Sequence, residues 1–298
     1  MQKKITHILR GREKEIAPGQ TVLQPMPHAE FRWANPFIVL HHMPPQMIEP
    51  GSKIRLPMHP HRGFSPELHS CHWQELVRNL RSSVAFQLQG EGYHLDNAGN
   101  EGFIAAGDVQ WMFAGKGILH SEGPTAQLLE HGGVQELIQL WINAPAAHKL
   151  DEPFYQFAPR DLQPAVLEQE GVSLRLASGH YEDSTGPLKS FTPVILISGG
   201  VRTGSRVQLT AIPGYWTLLY VIKGSLCVNA ETIGERHLIV FEKENDELII
   251  TAKEDTQLLF LSAQPIDEPV AAKDNFVMNT SQEIEEAIAD YKAGRNGL

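Results

Sequence analysis

The sequence predicts an all-β protein in which two β-domains follow one another along the chain. Short apolar runs recur through both halves, and turns rich in glycine, aspartate and proline separate them. Helical patterns do not alternate with these runs, as they would in a βαβ fold. A proline-bearing segment near the middle of the chain divides the two halves. These three observations favour tandem sandwiches or barrels over a parallel α/β sheet.

In the first half, residues 1–35 alternate short apolar and polar runs, which is typical of edge strands and turns. A longer apolar run at 36–42 predicts a buried strand, which we expect to end at Pro44 and Pro45. Further strands are predicted in the short apolar runs between turns, at 84–88, 93–95, 103–104, 109–113 and 138–142.

The second half repeats this rhythm without a close sequence repeat. Strands are predicted in seven β-rich runs, at 194–198, 207–211, 217–222, 225–228, 238–241, 247–251 and 257–262. Four prolines occur between 145 and 164, and this composition is typical of a linker laid along a surface. We therefore expect an N-terminal domain at 1–145, a linker at 146–164 and a C-terminal domain at 165–298.

Two segments carry a helical pattern. Thr280 and Glu283 have the spacing of a capping box, an apolar stripe at 284, 287, 288 and 291 follows, and Gly294 has the position of a C-terminal cap. This pattern predicts a C-terminal helix. The second candidate lies within 67–81, where apolar residues recur at helical spacing.

The composition excludes some classes of protein. The 25 basic and 35 acidic residues give a net charge of −10, which argues against a main task of coating nucleic acid or an anionic membrane. The two cysteines, Cys71 and Cys227, lie far apart in sequence and do not indicate a disulfide framework. The chain shows neither a signal-peptide pattern nor an apolar run of ~18 residues. We expect a cytoplasmic protein with no direct nucleic-acid or membrane partner.

Two short motifs indicate a metal centre. His59 and His61 lie two residues apart, and so do His120 and Glu122. Residues two apart on a strand point to the same face of the sheet, so two such strands could present three imidazoles and one carboxylate to a single ion. The sequence therefore predicts a mononuclear metal centre with these four ligands.

Spacing alone is weak support for this site. With 14 histidines in the chain, about 0.7 His-x-His pairs and about 1.6 His-x-Asp/Glu pairs are expected by chance. The alternative interpretation is a surface turn at His59 and a capping role for His120. Gly115 and Gly117 strengthen the metal hypothesis, because they allow a tight turn just before the second ligand pair.

Several strings resemble the pirin family of the bicupin superfamily, and the resemblance covers nearly the whole chain. They are HPHRGF at 59–64, GDVQWMFAGKGILHSE at 107–122, QLWIN at 139–143, FVMNT at 276–280 and EIEEAI at 283–288. The resemblance implies two tandem cupin (jelly-roll) β-barrels followed by a C-terminal helix. It also implies one iron in the N-terminal cupin, held by His59, His61, His120 and Glu122, and a metal-free C-terminal cupin.

Imidazole and carboxylate ligands suit divalent iron, and they also suit Mn, Ni, Co, Cu or Zn. The resemblance implies an iron-dependent dioxygenase of flavonol-like, quercetin-type substrates, which would use O2. Glu122 would then leave the metal or act as a base toward a substrate hydroxyl. The resemblance equally implies a non-enzymatic, redox-sensitive regulator that binds a transcription factor or a metabolic enzyme. A metal-free interaction scaffold is the third hypothesis.

Five residues near the ligand motifs are candidates for a substrate pocket. They are apolar, aromatic or amide-bearing: Phe37, Phe64, Phe86, Gln110 and Trp111. For each of them the alternative is ordinary packing in the domain core, which is the usual role of aromatic residues on strands. Arg62 could pair with an anionic substrate or with a nearby acid, and we expect the acid.

The chain departs from the pirin pattern after Pro66. About 17 residues, an inserted segment at 67–83, come between the first motif and the next predicted strand. Loops tolerate such additions at a small entropic cost. We weigh three interpretations: a surface helix over the mouth of the pocket, an irregular excursion, and a source of extra ligands in His69, Cys71 or His72.

Overall fold

A computed structural model describes residues 1–17, 20–54, 56–62, 83–273 and 275–295 of the chain. Strands dominate these residues and helices are few, so the predicted all-β class is confirmed. In the first half the elements are β1 (Ile5–Arg10), β2 (Arg12–Ala17), β3 (Gln20–Met26), β4 (Phe37–Ile48), β5 (Leu56–His61), β6 (Ser83–Gln89), β7 (Gly92–Asp96), β8 (Glu101–Ile104), β9 (Val109–Phe113), β10 (Ile118–Pro124), α1 (Ala126–His131), β11 (Gly133–Ile142) and β12 (Phe154–Ala158).

The second half contains the remaining strands and the C-terminal helix. They are β13 (Ala165–Gln169), β14 (Val172–Ser178), β15 (His180–Tyr181), β16 (Ser184–Thr185), β17 (Val194–Val201), β18 (Arg206–Thr210), β19 (Trp216–Lys223), β20 (Ser225–Val228), β21 (Glu231–Gly234), β22 (His237–Phe241), β23 (Glu247–Ala252), β24 (Thr256–Ala263), β25 (Ala271–Lys273), β26 (Phe276–Met278) and α2 (Ser281–Lys292). All seven strands predicted here are present, with each end within three residues of its predicted position.

The described chain divides into two compact units, and neither unit is continuous in sequence. The first consists of Met1–Arg12, Gln24–Ile38 and Asp161–Ile266, and the second of Glu13–Leu23, Val39–Arg160 and Asp267–Leu298. The domain bounds of 1–145 and 165–298 remain a prediction.

In the first unit, β1 pairs antiparallel with β22 at the edge of a seven-stranded sheet. Its strand order is β1-β22-β19-β24-β17-β14-β13, and a four-stranded sheet has the order β18-β23-β20-β21. Fully buried side chains such as Leu174, Leu219 and Phe260 form one apolar cluster in this unit.

The second unit carries both predicted ligand motifs. Its seven-stranded sheet has the order β12-β9-β6-β11-β4-β3-β2, and its four-stranded sheet has the order β5-β10-β7-β8. Along β10, every second residue is buried, beginning at Ile118. This alternation is typical of a strand with one face in a core and one face toward solvent.

Two details of the second unit differ from the sequence predictions. The strand predicted at 36–42 does not end at the two prolines, since β4 continues to Ile48. Its residues are buried up to His42 and become more exposed from Met43, so the prolines mark the loss of burial rather than the end of the strand. The segment predicted as a linker contains β12, which pairs antiparallel with β9.

The C-terminal helix is confirmed. Thr280 accepts a hydrogen bond from the Glu283 backbone amide, and the Glu283 side chain accepts one from the Thr280 amide, which completes the capping box. Ile284 and Ala287 are buried against Phe276 and other residues of the β25–β26 hairpin. Gly294 has a φ of +63°, the left-handed conformation that favours glycine after a helix.

The helix predicted at 67–83 lies outside the described residues, apart from Ser83, which begins β6. Phe64, His69, Cys71 and His72 also lie outside them. Within the described ranges, helices of the length and apolarity needed to cross a membrane are absent.

Candidate metal centre

The first predicted ligand of each motif faces the other across two paired strands. In the antiparallel ladder of β5 and β10, His120 lies directly opposite His59. The two imidazole rings are 4.3 Å apart between centroids. Both side chains are buried, His59 at 2% and His120 at 0% exposure. The pairing therefore brings together two nitrogen donors that lie 61 positions apart in the sequence.

Glu122 lies two residues beyond His120 on the same buried face of β10. Its Oε1 accepts a hydrogen bond from Nε2 of Gln139 on β11, at 2.6 Å. Burial raises the pKa of the Glu122 carboxyl to about 7, and the Gln139 hydrogen bond opposes this shift. The carboxyl can therefore both hold and release a proton near neutral pH.

The fourth predicted ligand is placed only by its backbone. His61 lies opposite Ile118 at the end of β5, and its side chain is outside the described part of the structure. Among the side chains that the structure does describe, His, Cys, Asp and Glu do not form a group of three that could hold a metal ion. The full ligand set of His59, His61, His120 and Glu122 remains a prediction.

The donors that are described nevertheless fit a divalent transition metal. Two buried imidazoles in ring contact and a carboxyl on the same strand face supply nitrogen and oxygen donors without thiolates. Such a set suits iron, manganese, nickel, cobalt, copper or zinc, and ligand type alone does not select among them.

A third histidine, His94 on β7, contacts His120 and was missed by sequence reasoning. Its Nδ1 lies 3.3 Å from Nδ1 of His120, and its Nε2 lies 3.2 Å from Oδ2 of Asp96. Burial lowers the pKa of His94, while Asp96 acts in the opposite direction. The available signal was the His-x-Asp spacing of 94 and 96, but about 1.6 His-x-Asp/Glu pairs are expected by chance in this chain, so the spacing did not single out His94.

Arg62 directly follows the first ligand motif and is buried at the end of β5. Its Nη1 donates to Oδ2 of Asp290 on α2 at 2.6 Å, and its Nε donates to the carbonyl of Lys116. The predicted pairing of Arg62 with an acid is confirmed. The contact also joins the turn that enters β10 to the C-terminal helix.

A pocket opens beside Glu122 within the second unit. The space between its walls, including the part open to solvent, is about 750 Å³. Apolar residues such as Val22, Ile104 and Leu137 form much of its lining. The lining also contains the amide side chains of six glutamines: Gln20, Gln46, Gln87, Gln110, Gln135 and Gln139.

Of the five predicted pocket residues, Gln110 lines this pocket, and its Oε1 accepts a hydrogen bond from the Tyr155 hydroxyl at 2.9 Å. Phe86 and Trp111 are buried in β6 and β9, next to lining residues. Because side chains alternate along a strand, both aromatic rings turn to the face opposite Gln110. Phe37 is fully buried at the start of β4.

Comparisons with known proteins agree with this architecture. Residues 79–142 match the pirin family, and residues 197–297 match the pirin C-terminal cupin domain. Pirin-1 of Arabidopsis thaliana is 32% identical over 306 residues, which cover 99% of this chain and 94% of Pirin-1.

Solved structures are similar over nearly the same extent. A crystal structure of quercetin 2,3-dioxygenase from Acinetobacter baumannii has a TM-score of 0.87 and 31% identity, covering 99% of this chain and 98% of that one. A bacterial pirin from Escherichia coli, solved in complex with nickel(II), has a TM-score of 0.64 and 18% identity, covering 87% of this chain and 99% of that one. At this identity, the similarity to the Escherichia coli pirin shows the fold alone. The predicted bicupin fold is confirmed, and the chain belongs to the pirin family.

Proposed function

We propose that the chain is a metal-dependent dioxygenase that acts on a flavonol-like, quercetin-type substrate. The observation that carries this proposal is the position of Glu122, which lies two residues beyond the buried His120 on the same face of β10 and also lines a largely apolar pocket. The likeness to a quercetin 2,3-dioxygenase at 31% identity supports the same reaction class.

His59 and His120 would hold the ion as neutral imidazoles, with Glu122 as the carboxylate and His61 as the fourth ligand. A divalent metal, iron in this proposal, would supply a Lewis-acidic and redox-active centre for the substrate and O2. Mn, Ni, Co, Cu or Zn would fit the same donors. The protein itself contributes the buried face of β10 on which His120 and Glu122 lie.

Glu122 is suited to take the proton of a substrate hydroxyl. A general base works best when its pKa lies near the working pH, and in the metal-free protein burial brings the pKa of this carboxyl to about 7. Gln139 holds one of its two oxygens by a hydrogen bond. The other oxygen would bind the ion or, once the carboxylate leaves the ion, take the proton of the substrate hydroxyl, so we assign the catalytic base to Glu122.

The pocket favours a neutral ligand with several oxygen atoms. Among the described lining residues, Glu122 is the one side chain with an acid or base that titrates near neutral pH. The surrounding amides can each donate and accept hydrogen bonds, which suits hydroxyl and carbonyl groups on an apolar ring system. Gln110 is fixed in this role by Tyr155.

Oxygen uptake by iron-loaded protein with quercetin tests the proposal. We expect uptake that depends on bound iron and is lost in Glu122→Ala, while a variant at the exposed His131, His131→Gln, retains it. Wild-type protein that binds iron but consumes no oxygen with quercetin would contradict the proposed dioxygenase activity. That result would favour the redox-sensitive regulator, in which the redox state of the ion changes a surface that a protein partner recognises.

A further inference from the structure

We propose that His94, held by Asp96, is a positioning residue that sets the tautomer of His120 and so presents Nε2 of His120 as a metal donor. The metal-binding half of this inference rests on the proposed function, whereas the tautomer assignment applies to the metal-free protein. Two consecutive contacts, that of Asp96 with His94 and that of His94 with His120, link β7 to β10.

The first contact fixes the proton on His94. The Asp96 carboxylate already accepts hydrogen bonds from the backbone amides of Ala98 and Asn100 and from the Asn100 side chain, at 2.9–3.0 Å. It is surrounded by donors and is therefore an acceptor toward His94 as well. Because Nε2 of His94 lies 3.2 Å from Asp96, the Nε2 atom carries the proton.

The second contact passes this choice to His120. A neutral imidazole with its proton on Nε2 has its lone pair on Nδ1. Nδ1 of His94 faces Nδ1 of His120 at 3.3 Å, so His120 must donate from Nδ1. The lone pair of His120 then lies on Nε2, the atom that the tautomer leaves able to ligate a metal.

The opposite arrangement is unfavourable. If His120 carried its proton on Nε2, two lone pairs would face each other across 3.3 Å, unless His94 were doubly protonated. A cationic His94 would have to persist at 0% exposure. The carboxylate of Asp96 therefore determines which ring nitrogen carries the proton in both His94 and His120.

The surroundings hold the His94 ring in the required plane. Tyr155 stacks on it, with centroids 4.7 Å apart and an interplanar angle of 20°. The Tyr155 hydroxyl in turn donates to Gln110, a pocket residue. In the ladder of β7 and β10, His94 lies opposite Glu122 and Asp96 lies opposite His120. The sheet register therefore places His94 and Asp96 beside two predicted ligands.

Nitrogen-15 NMR of the metal-free protein tests the tautomers directly. Long-range proton–nitrogen correlations distinguish a protonated Nδ1 from a protonated Nε2, and the His94→Asn and His120→Asn variants assign the signals. We expect the proton of His94 on Nε2 and that of His120 on Nδ1. A proton on Nε2 of His120 would overturn the proposal, without any dependence on metal.

Nickel(II) affinity, measured by calorimetry, tests the consequence. In His94→Phe the ring can still stack on Tyr155 but accepts no hydrogen bond, and we expect affinity to fall by about 10–100-fold. In His94→Asn the side-chain oxygen can replace Nδ1 as acceptor, so affinity should remain within a few-fold of wild type. His131→Gln is the matched control at an exposed histidine.

Two results would overturn the role of His94 in different ways. If wild type binds nickel and His94→Phe binds it equally tightly, the positioning role is wrong while the metal site stands. If wild type binds no nickel at all, the metal site of the proposed function is wrong, and the role of His94 falls with it.

Discussion

Arg62 and Asp290 form a partly buried ion pair, with Nη1 of Arg62 2.6 Å from Oδ2 of Asp290. Arg62 directly follows the strand that carries His59, and Asp290 belongs to the C-terminal helix. The same guanidinium donates to the carbonyl of Lys116, in the turn before the strand that carries His120. One side chain thus links both ligand strands to Asp290, which lies 228 positions beyond Arg62 in sequence.

Asp290→Ala is predicted to destabilise the protein. The change leaves the guanidinium of Arg62 buried without its carboxylate, and removing one partner of a charged hydrogen bond costs about 1.5–3 kcal/mol. Chemical denaturation measures the free energy of unfolding. Glu285→Ala, at an exposed position on the same helix, should change it by less than about 0.5 kcal/mol. Equal stability of the two variants would show that the ion pair does not contribute.

Gln139→Leu is predicted to raise the pKa of Glu122 further above 7 in the metal-free protein. The Gln139 amide stabilises the ionised carboxylate, so its removal favours the protonated form. Infrared spectroscopy can follow the band of the protonated carboxyl against pH, and Glu122→Gln assigns that band. Gln135→Leu changes an amide of the same pocket without touching Glu122. A titration unchanged in Gln139→Leu would contradict the assigned hydrogen bond.

We expect the buried amine of Lys149 to make the stability of the second unit depend on pH. Its amine is buried and donates to Asn143 and to the Val277 carbonyl, and burial lowers its pKa to about 8 against the action of Glu268 and Glu283. Between this value and the unfolded value of 10.5, the unfolded chain binds the proton and the folded chain does not. The contribution of this amine to the free energy of unfolding therefore rises with pH across that window, by up to about 1.4 kcal/mol per pH unit.

Comparison with Lys149→Met isolates this contribution. The difference in unfolding free energy between wild type and the variant should change between pH 8 and 10.5, whereas exposed Lys253→Met should keep a constant difference from wild type. A constant difference for Lys149→Met would mean that the Lys149 amine has the same pKa in the folded and the unfolded chain.

Local patterns predicted the fold well. The α2 helix follows from a capping box and an apolar stripe within one segment, and the seven strands of the second half follow from apolar runs between turns. The strand β12 was missed because prolines at 153 and 159 bracket it and suggested a linker. Composition indicated an irregular segment, while pairing with β9 determined the structure.

The site was predictable in part. Spacing suggested His59, His120 and Glu122, but only the strand register shows that His59 and His120 face each other. His94 could not be singled out, because its role depends on a ring contact across two strands. Asp290 likewise depends on a tertiary contact that no local pattern encodes. Sequence periodicity specifies which face a side chain occupies, and the register specifies its neighbours.

The metal content of the purified, iron-reconstituted protein tests the proposed metal centre directly. We expect about one tightly bound ion per wild-type chain and strong loss of metal in His59→Ala, His120→Ala and Glu122→Ala. His131→Ala should retain the wild-type content. A folded wild-type protein without bound metal, or folded variants that keep the full content, would contradict it.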